Sequence, residues 1–486
     1  MQKFNYYLKQ MNKTIISIIA FILAVCQVTA QTLDSIPHHG MGHMVNPSTI
    51  MELRSGDILG GTLLADTKKA PSPTPVGYMM HSVSRHGAMI TDSLFLAYDC
   101  LPCQMTVRNP FGNDNILAEM VNDVENNCFN LRIRHFDDDL NLDTANEILV
   151  PLADFIANGG WDGITLNPQG DLVLAYYDRK NNYANNTYFA QISLDGTVKQ
   201  SKTFVPETMP MNRNHYGPKV FSESPLRYCY WGTHYNGDNL DLDCFVLDSV
   251  FNIVESYTIP SYYHSYSPSL IVQFGFDYEE KMLGMGNGDF LIASRNDEMT
   301  NTTHDQGCTV LKFDKDFHLK TYAKFLSIPY LQYCHGNKPI GLEKSRDGNI
   351  YFAYYTQEPE YYYGQWYGQV AVVKMDYDLN IVWQRFCLEL QGYGRQYGRM
   401  TVLDDKGVAI IGNNVNANGS SEIFYLIVND DYDGMEEQGI IVRPYAYWPN
   451  PAQDELHLQY SPDVTPKQIE LYDLQGRLVK TQRFGL

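Results

Sequence analysis

The sequence predicts an all-β chain: seven consecutive units of four short strands that close into a ring, followed by a small C-terminal β module. Three observations predict it. Apolar residues come in short runs rich in Val, Ile, Tyr and Phe, bounded by Asp, Gly and Asn, and show no helical period. A turn that feeds an aromatic run recurs at Gly56, Asp114, Gly170, Leu226, Gly288, Gly348 and Gly407, spaced 56–62 residues apart. A second mark, the end of a third strand, recurs in the same order at His86, Asp137, Asp195, Asp248, Asp314, Asp376 and Asp430. Two independent marks that keep step seven times define a repeat.

The clearest unit is Lys344–Phe386. The turn Arg346–Asn349 feeds the run Ile350–Tyr355, a tyrosine-rich connector follows, a strand ends at Lys374-Met375-Asp376, and a last strand runs through Val382 and Trp383. With Ile340–Leu342 ahead of the turn, that makes four strands. One small sheet cannot bury both of its faces alone. Repeats stacked around an axis bury them, and closure protects the edges. The expected fold is therefore a seven-bladed β-propeller of four-stranded blades over residues 46–443. A stack of β-sandwiches would show a boundary every ~100 residues, and no such linkers interrupt the repeats. Gly439–Val442 is a short apolar stretch suited to completing the last blade.

Ahead of the repeats, residues 1–30 read as a signal peptide: Lys3, Lys9 and Lys13, the apolar run Ile15–Val25, and the small-residue site Val28-Thr29-Ala30. The apolar run is too short to span a bilayer, so no transmembrane segment is expected after cleavage. Residues 31–45 form a His-, Gly- and Met-rich linker. The chain has a formal net charge of −20, and removing the basic leader makes it more acidic still. Such a surface repels nucleic acid and anionic membranes, and neither is expected as a partner.

In an exported chain cysteines can be oxidised. Cys229 and Cys244 flank Asn236-Gly237, a strong hairpin signal. A turn centred there places the two opposite each other, and two readings stand: a disulfide, or two buried free thiols. Cys100-Leu101-Pro102-Cys103 has redox spacing but lacks the βαβ context of a catalytic dithiol.

In a propeller, the connections that enter the inner strands lie on one face around the axis. Those segments carry His43, Trp161, His215, Tyr216, His264, His335, Arg395 and Arg399. The densest aromatic patch, Glu360–Gly368 with Trp366, falls between the second and third strands of its unit, on the same face. Flat aromatic faces beside His, Arg and Asn suit a sugar or a peptide, so the expectation is a binding scaffold for glycan or protein without a cofactor. The alternative is a polysaccharide lyase or hydrolase in which His and Tyr exchange protons, Arg neutralises a carboxylate, and the histidines hold a divalent metal. Asp-Gly turns such as Asp347-Gly348 lack the spacing of a calcium loop and are explained by turn chemistry. No G-x-S-x-G elbow and no H-E-x-x-H helix is found.

From Pro444 the character changes. Trp448-Pro449-Asn450-Pro451-Ala452 is followed by alternating Leu456 and Leu458, then by Leu471-Tyr472-Asp473-Leu474-Gln475-Gly476-Arg477-Leu478-Val479. Read physically, residues 444–486 are a separate β module in which Gln475-Gly476 makes a hairpin turn. These motifs resemble the type A C-terminal sorting domains carried by cargo of the type IX secretion system of Bacteroidetes-type bacteria. The resemblance covers about 40 residues and rests on Pro449, Asn450, Pro451, Tyr472, Asp473, Gly476 and Arg477. It implies export to the periplasm, passage across the outer membrane with the secretion machinery as a partner, and release or attachment at the outer cell surface. Family domains continue to a glycine-aromatic strand and a basic terminal strand. The chain stops at Leu486, so the resemblance implies a truncated domain.

Overall fold

The computed structural model describes residues 43–430, leaving out 67–73, 85–89, 98–99, 124–127, 153–159, 178–185, 206–208, 210–212, 237–238, 261–271, 274–280, 300–303, 327–337, 361–364, 393–397, 405–406 and 416–420. Beyond residue 444 it describes four short strands. The chain divides into two compact units, Met1–Asp431 and Tyr432–Leu486. All described regular structure is β.

The first unit contains seven antiparallel sheets, each built from strands consecutive in sequence. Their first strands are His43–Glu52, Cys100–Arg108, Gly160–Leu166, Arg213–Glu223, the interrupted pair Val272–Gln273 and Lys281–Gly284, Lys338–Lys344, and Gly398–Val402. Each packs on the first strand of the next sheet, and Gly398–Val402 packs back on His43–Glu52. These are the inner strands of blades 1 to 7. The fourth strands lie outermost, with alternating exposure, as in Ile253–Ile259 of blade 4. Blades 1 to 6 have four strand positions. Blade 7 has three among the described residues, and the stretch expected to complete it, Gly439–Val442, lies outside them.

Seven hydrophobic clusters lie among the described residues, one between each pair of consecutive blades. The one that closes the ring joins Ile50, Ile58 and Met79 of blade 1 to Ala409, Ile411 and Ile423 of blade 7. This arrangement explains the unbroken apolar run Ile350–Tyr355. Ile350, Phe352 and Tyr354 join the cluster shared with blade 5, while Tyr351, Ala353 and Tyr355 join the one shared with blade 7. A central strand covered on both faces needs no polar side. Fully burying a large apolar side chain such as Ile350 or Phe352 stabilises by about 1.5–3 kcal/mol.

The turns before the second strands use glycine where the backbone is left-handed. Gly348 has φ +87°, and its N–H donates to Ser345 O at 3.0 Å. Leu226, the mark without a glycine, nevertheless begins the second strand of blade 4. The mark at His86 lies outside the described residues.

One expected register is corrected. In blade 4 Asn236 pairs with Asn239, so Cys229 faces Val246 and Cys244 faces Trp231. The cysteines are diagonal rather than opposite neighbours, and both are buried free thiols. Diagonal positions stand roughly 7–8 Å apart at Cα, about the limit a disulfide spans without backbone movement.

Candidate functional site

The inner strands run in step around the axis. An added Cβ on Gly163 of blade 3 would lie 2.6 Å from Gly217 O of blade 4, and one on Gly284 of blade 5 would lie 2.5 Å from Val220 O of blade 4. Further round, Arg399 of blade 7 meets Ser48 of blade 1, and Glu52 meets Asp404. Strand starts thus lie beside strand starts, and one face of the ring collects all the entries to the inner strands.

His43 is the first residue of the blade 1 inner strand, opposite Asp66. Trp161 is second in blade 3, opposite Tyr176. His215 and Tyr216 lie near the start of blade 4, opposite Gly232 and Trp231. Trp366 is second in the third strand of blade 6, opposite Pro359 and Gly392. Third strands start on the face where inner strands start, so these backbone positions share one side of the ring. His264, His335 and Arg395 lie outside the described residues.

Arg399 is the predicted residue whose side chain is described, and it is half-buried. Its Nε donates to Ser48 O at 3.4 Å and its Nη1 to Gly398 O at 3.1 Å. It therefore bridges the seam between blades 7 and 1 through backbone carbonyls.

The sequence reading missed a belt of charge on the opposite face, where the tight turns lie. Arg108 Nε and Nη2 of blade 2 donate to Glu52 O at 2.8 Å and Leu53 O at 2.9 Å in blade 1, and Nη1 donates to Asp404 Oδ2 of blade 7 at 2.7 Å. Arg346 of blade 6 pairs with the other Asp404 oxygen at 2.9 Å. Lys374 and Tyr351 of blade 6 both donate to Asp430 of blade 7. Lys312 of blade 5 donates to Tyr377 O of blade 6 at 2.7 Å and lies 3.5 Å from the centre of that tyrosine ring. A recurring lysine two residues before the turn aspartate, Lys312-Phe313-Asp314 and Lys374-Met375-Asp376, was the available signal.

Two titratable groups sit near the ring seam: Glu343, half-buried on the inner strand of blade 6, and His81, buried in blade 1. Burial pushes the Glu343 carboxyl up to about 7, and its Oε2 accepts the Val402 N–H at 2.9 Å. Burial lowers His81 to about 4. Asp314, Asp316 and His318 bring three potential metal ligand atoms within 4.8 Å of one another. They belong to the turn between the third and fourth strands of blade 5. The matching turns carry Asn141, Asn252 and Asn380 where blade 5 has His318, and each asparagine amide donates to the first aspartate of its turn. His318 Nδ1, 3.4 Å from Asp314 Oδ2, stands in for that amide, so turn chemistry accounts for the group.

In the second unit, Tyr445–Trp448 pairs with His457–Tyr460, and Gln468–Tyr472 pairs with Leu478–Arg483. Tyr472 faces Leu478 across the second hairpin. Pro449, Asn450, Pro451, Asp473, Gly476 and Arg477 lie outside the described residues. Residues 446–485 match the family model described as the secretion system C-terminal sorting domain. The chain carries a type IX secretion sorting domain. It is an exported cargo, secreted or attached to the outer cell surface, and its sorting domain implies interaction with the secretion machinery.

Among solved structures, the chain is similar to the β-propeller domain of the trilobed protease from Pyrococcus furiosus, at 11% identity and TM-score 0.42, covering 82% of this chain and 98% of that one. It is similar to a protein of unknown function from Dyadobacter fermentans, at 9% identity and TM-score 0.43, covering 81% and 96%. It is also similar to the NanB sialidase from Streptococcus pneumoniae, at 12% identity and TM-score 0.37, covering 82% and 71%. No curated protein matches the chain.

Proposed function

We propose that this exported propeller is a non-catalytic binding scaffold for a glycan or a protein ligand, held at the face where the inner strands begin. In this reading residues 1–30 are a cleaved signal peptide, 31–45 a tether, 46–443 the binding propeller and 444–486 the sorting domain. The observation that carries the reading is the gathering of the inner-strand entries on one side. It brings His43, Trp161, His215, Tyr216 and Arg399, which are far apart in sequence, to one end of the ring. Aromatic and hydrogen-bonding residues at such a mouth are the composition that glycan and peptide sites use. His264, His335, Arg395 and Trp366 complete the set on sequence grounds. Arg399, with two donors held by backbone carbonyls, serves as a fixed element of the mouth rather than a proton carrier.

The test is a glycan array together with incubation of the purified protein with acidic polysaccharides, with and without chelator, following absorbance of unsaturated sugar ends. Binding without turnover is expected, and Trp366→Ala should weaken it roughly tenfold or more. Turnover that depends on His335 or on a chelatable metal would replace this reading with a lyase or hydrolase.

A further inference from the structure

Two neighbouring sheets run on past the strands that line the axis. In blade 6 the inner strand begins at Lys338, opposite Tyr355. The second strand, Ile350–Glu360, continues to Glu360, paired with Gln365 of the third strand. The fourth strand, Ile381–Gly392, follows as far as Gly392, opposite Trp366. In blade 7 the inner strand begins at Gly398, opposite Gly412. The second strand, Gly407–Val415, continues to Val415, paired with Ser421. Where the inner strands begin, the two sheets are packed together. Tyr355 and Phe424 meet edge to face with ring centres 6.4 Å apart, and a Cβ on Gly412 would collide with the Tyr355 hydroxyl.

Strand alternation carries the two facing surfaces outward from that contact. On blade 6 the row beyond Tyr355 is Gln357, Gly368 and Leu390, and the row beyond that is Pro359, Trp366 and Gly392. On blade 7 the row beyond Gly412 and Phe424 is Asn414 and Glu422. Glu358, Glu360 and Glu389 fall on the other face of blade 6, with Tyr367.

The residue types at these positions select a ligand class. The strand ends 356–360, 365–369, 389–392, 413–415 and 421–423 hold no Lys, Arg or His. Arg399, on the inner strand of blade 7, donates to Ser48 O of blade 1, and His335 and Arg395 lie outside the described residues. An anionic polymer would meet Glu422 with no cation from these strands to offset it. A basic peptide would find that single carboxylate against two amides. An uncharged sugar suits the set better. The C–H face of its ring packs on a flat aromatic surface, and its hydroxyls both donate and accept, as the carboxamides of Gln357 and Asn414 do. Glycine and proline share the row of Trp366, so its indole is the large flat group of that row.

We propose that the facing surfaces of blades 6 and 7, beyond the start of their inner strands, bind an uncharged glycan, with Trp366 as the stacking platform and Gln357, Asn414 and Glu422 as partners for its hydroxyls. This rests on the reading of the propeller as a binding scaffold and narrows it to one seam and one ligand class.

The test applies the full chain to an array of neutral and anionic glycans. The best neutral oligosaccharide is then titrated calorimetrically against wild type, Trp366→Ala, Asn414→Ala and, as a control on the other face, Tyr367→Ala, with oligolysine standing for a basic peptide. Neutral glycans should bind, and their affinity should fall roughly tenfold in Trp366→Ala and in Asn414→Ala and stay unchanged in Tyr367→Ala. Glu422→Ala takes the place of Asn414→Ala if that variant does not fold. Binding confined to anionic glycans or to oligolysine overturns the proposal. So does neutral-glycan binding that survives both substitutions; if it is lost instead in Trp161→Ala, the scaffold reading stands with its site at the axial mouth. Turnover of the glycan would remove the scaffold reading itself.

Discussion

Glu343 shows how one half-buried carboxylate gives the propeller a pH response. Its folded pKa, about 7, lies above the ordinary 4.5. The fold therefore favours the neutral acid: stability is fully present below about pH 4.5 and is lost as pH rises towards 7. Glu343→Gln stays neutral and still offers an oxygen to the Val402 N–H. Its melting temperature should exceed that of wild type at pH 8 and match it near pH 4.5. An equal difference at both values would sink this account. His81 acts in the opposite direction. Burial lowers it from 6.5 to about 4, so its contribution is lost as pH falls through that window. The cysteines of blade 4 make a second residue-scale prediction. Burial holds the Cys244 thiol well above its ordinary value, and the neighbouring Cys229 thiol adds to the effect. The diagonal register predicts that both stay reduced. After unfolding in denaturant without reductant, both should react with a maleimide; labelling that requires prior reduction would show that a bridge forms.

The turn between the third and fourth strands is the element in which sequence and packing are most tightly joined. In Asp376–Asn380, Asp376 Oδ1 accepts the N–H groups of Asp378 and Asn380 at 2.9 Å, and Oδ2 accepts the Asn380 amide at 2.8 Å. The fourth residue is apolar and left-handed: Leu140, Phe251, Phe317 and Leu379 have φ between +60° and +66°. Such a conformation costs a non-glycine residue about 1–3 kcal/mol. Burial between blades offsets it, with Leu379 5% and Phe251 0% exposed. Leu379→Gly loses the packing and relieves the backbone, whereas Leu379→Ala loses the packing and keeps the strain. Urea denaturation should find the alanine variant less stable than the glycine variant by about 1 kcal/mol, the reverse of the usual order inside strands. The aspartate of this turn was legible as a repeat mark because its side chain makes the turn. The left-handed leucine was not, because a buried apolar residue there looks like any other core residue. The Cys229–Cys244 register was misread for a related reason: Asn-Gly signals a hairpin, but the strands pair beyond it to Asn236 and Asn239.

At the scale of the whole molecule, the ring was legible because seven look-alike units need seven seams, and the marks at Gly170, Gly348, Asp248 and Asp376 fell at the expected strand ends. The proposed mouth was read from residue types in the entry segments, and of its side chains the described one, Arg399, bonds backbone carbonyls. The charge belt was not, because Arg108, Glu52, Asp404 and Arg346 meet only after closure, across up to 352 residues of chain. That belt bears on the joint that closes the ring, where, as at every other seam, no sheet is shared among the described residues. Blades 7 and 1 are held by the Ile50–Ile411 cluster, by Asp404 N–H donating to Glu52 Oε2 at 2.7 Å, and by Arg108, which reaches both carboxylates. Arg108→Met leaves Glu52, 7% exposed, close to Asp404 with less compensation. Because Arg108 is 30% exposed, water recovers part of the loss, and the expected cost is about 1–3 kcal/mol. The cost should also be local. In hydrogen exchange, the amides of His43–Glu52 and Gly398–Val402 should lose protection before those of the blade 4 and blade 6 second strands, Leu226–Asn236 and Ile350–Glu360. If all four segments lose protection together, the ring opens as one cooperative body, and its closing seam is no weaker than the other six.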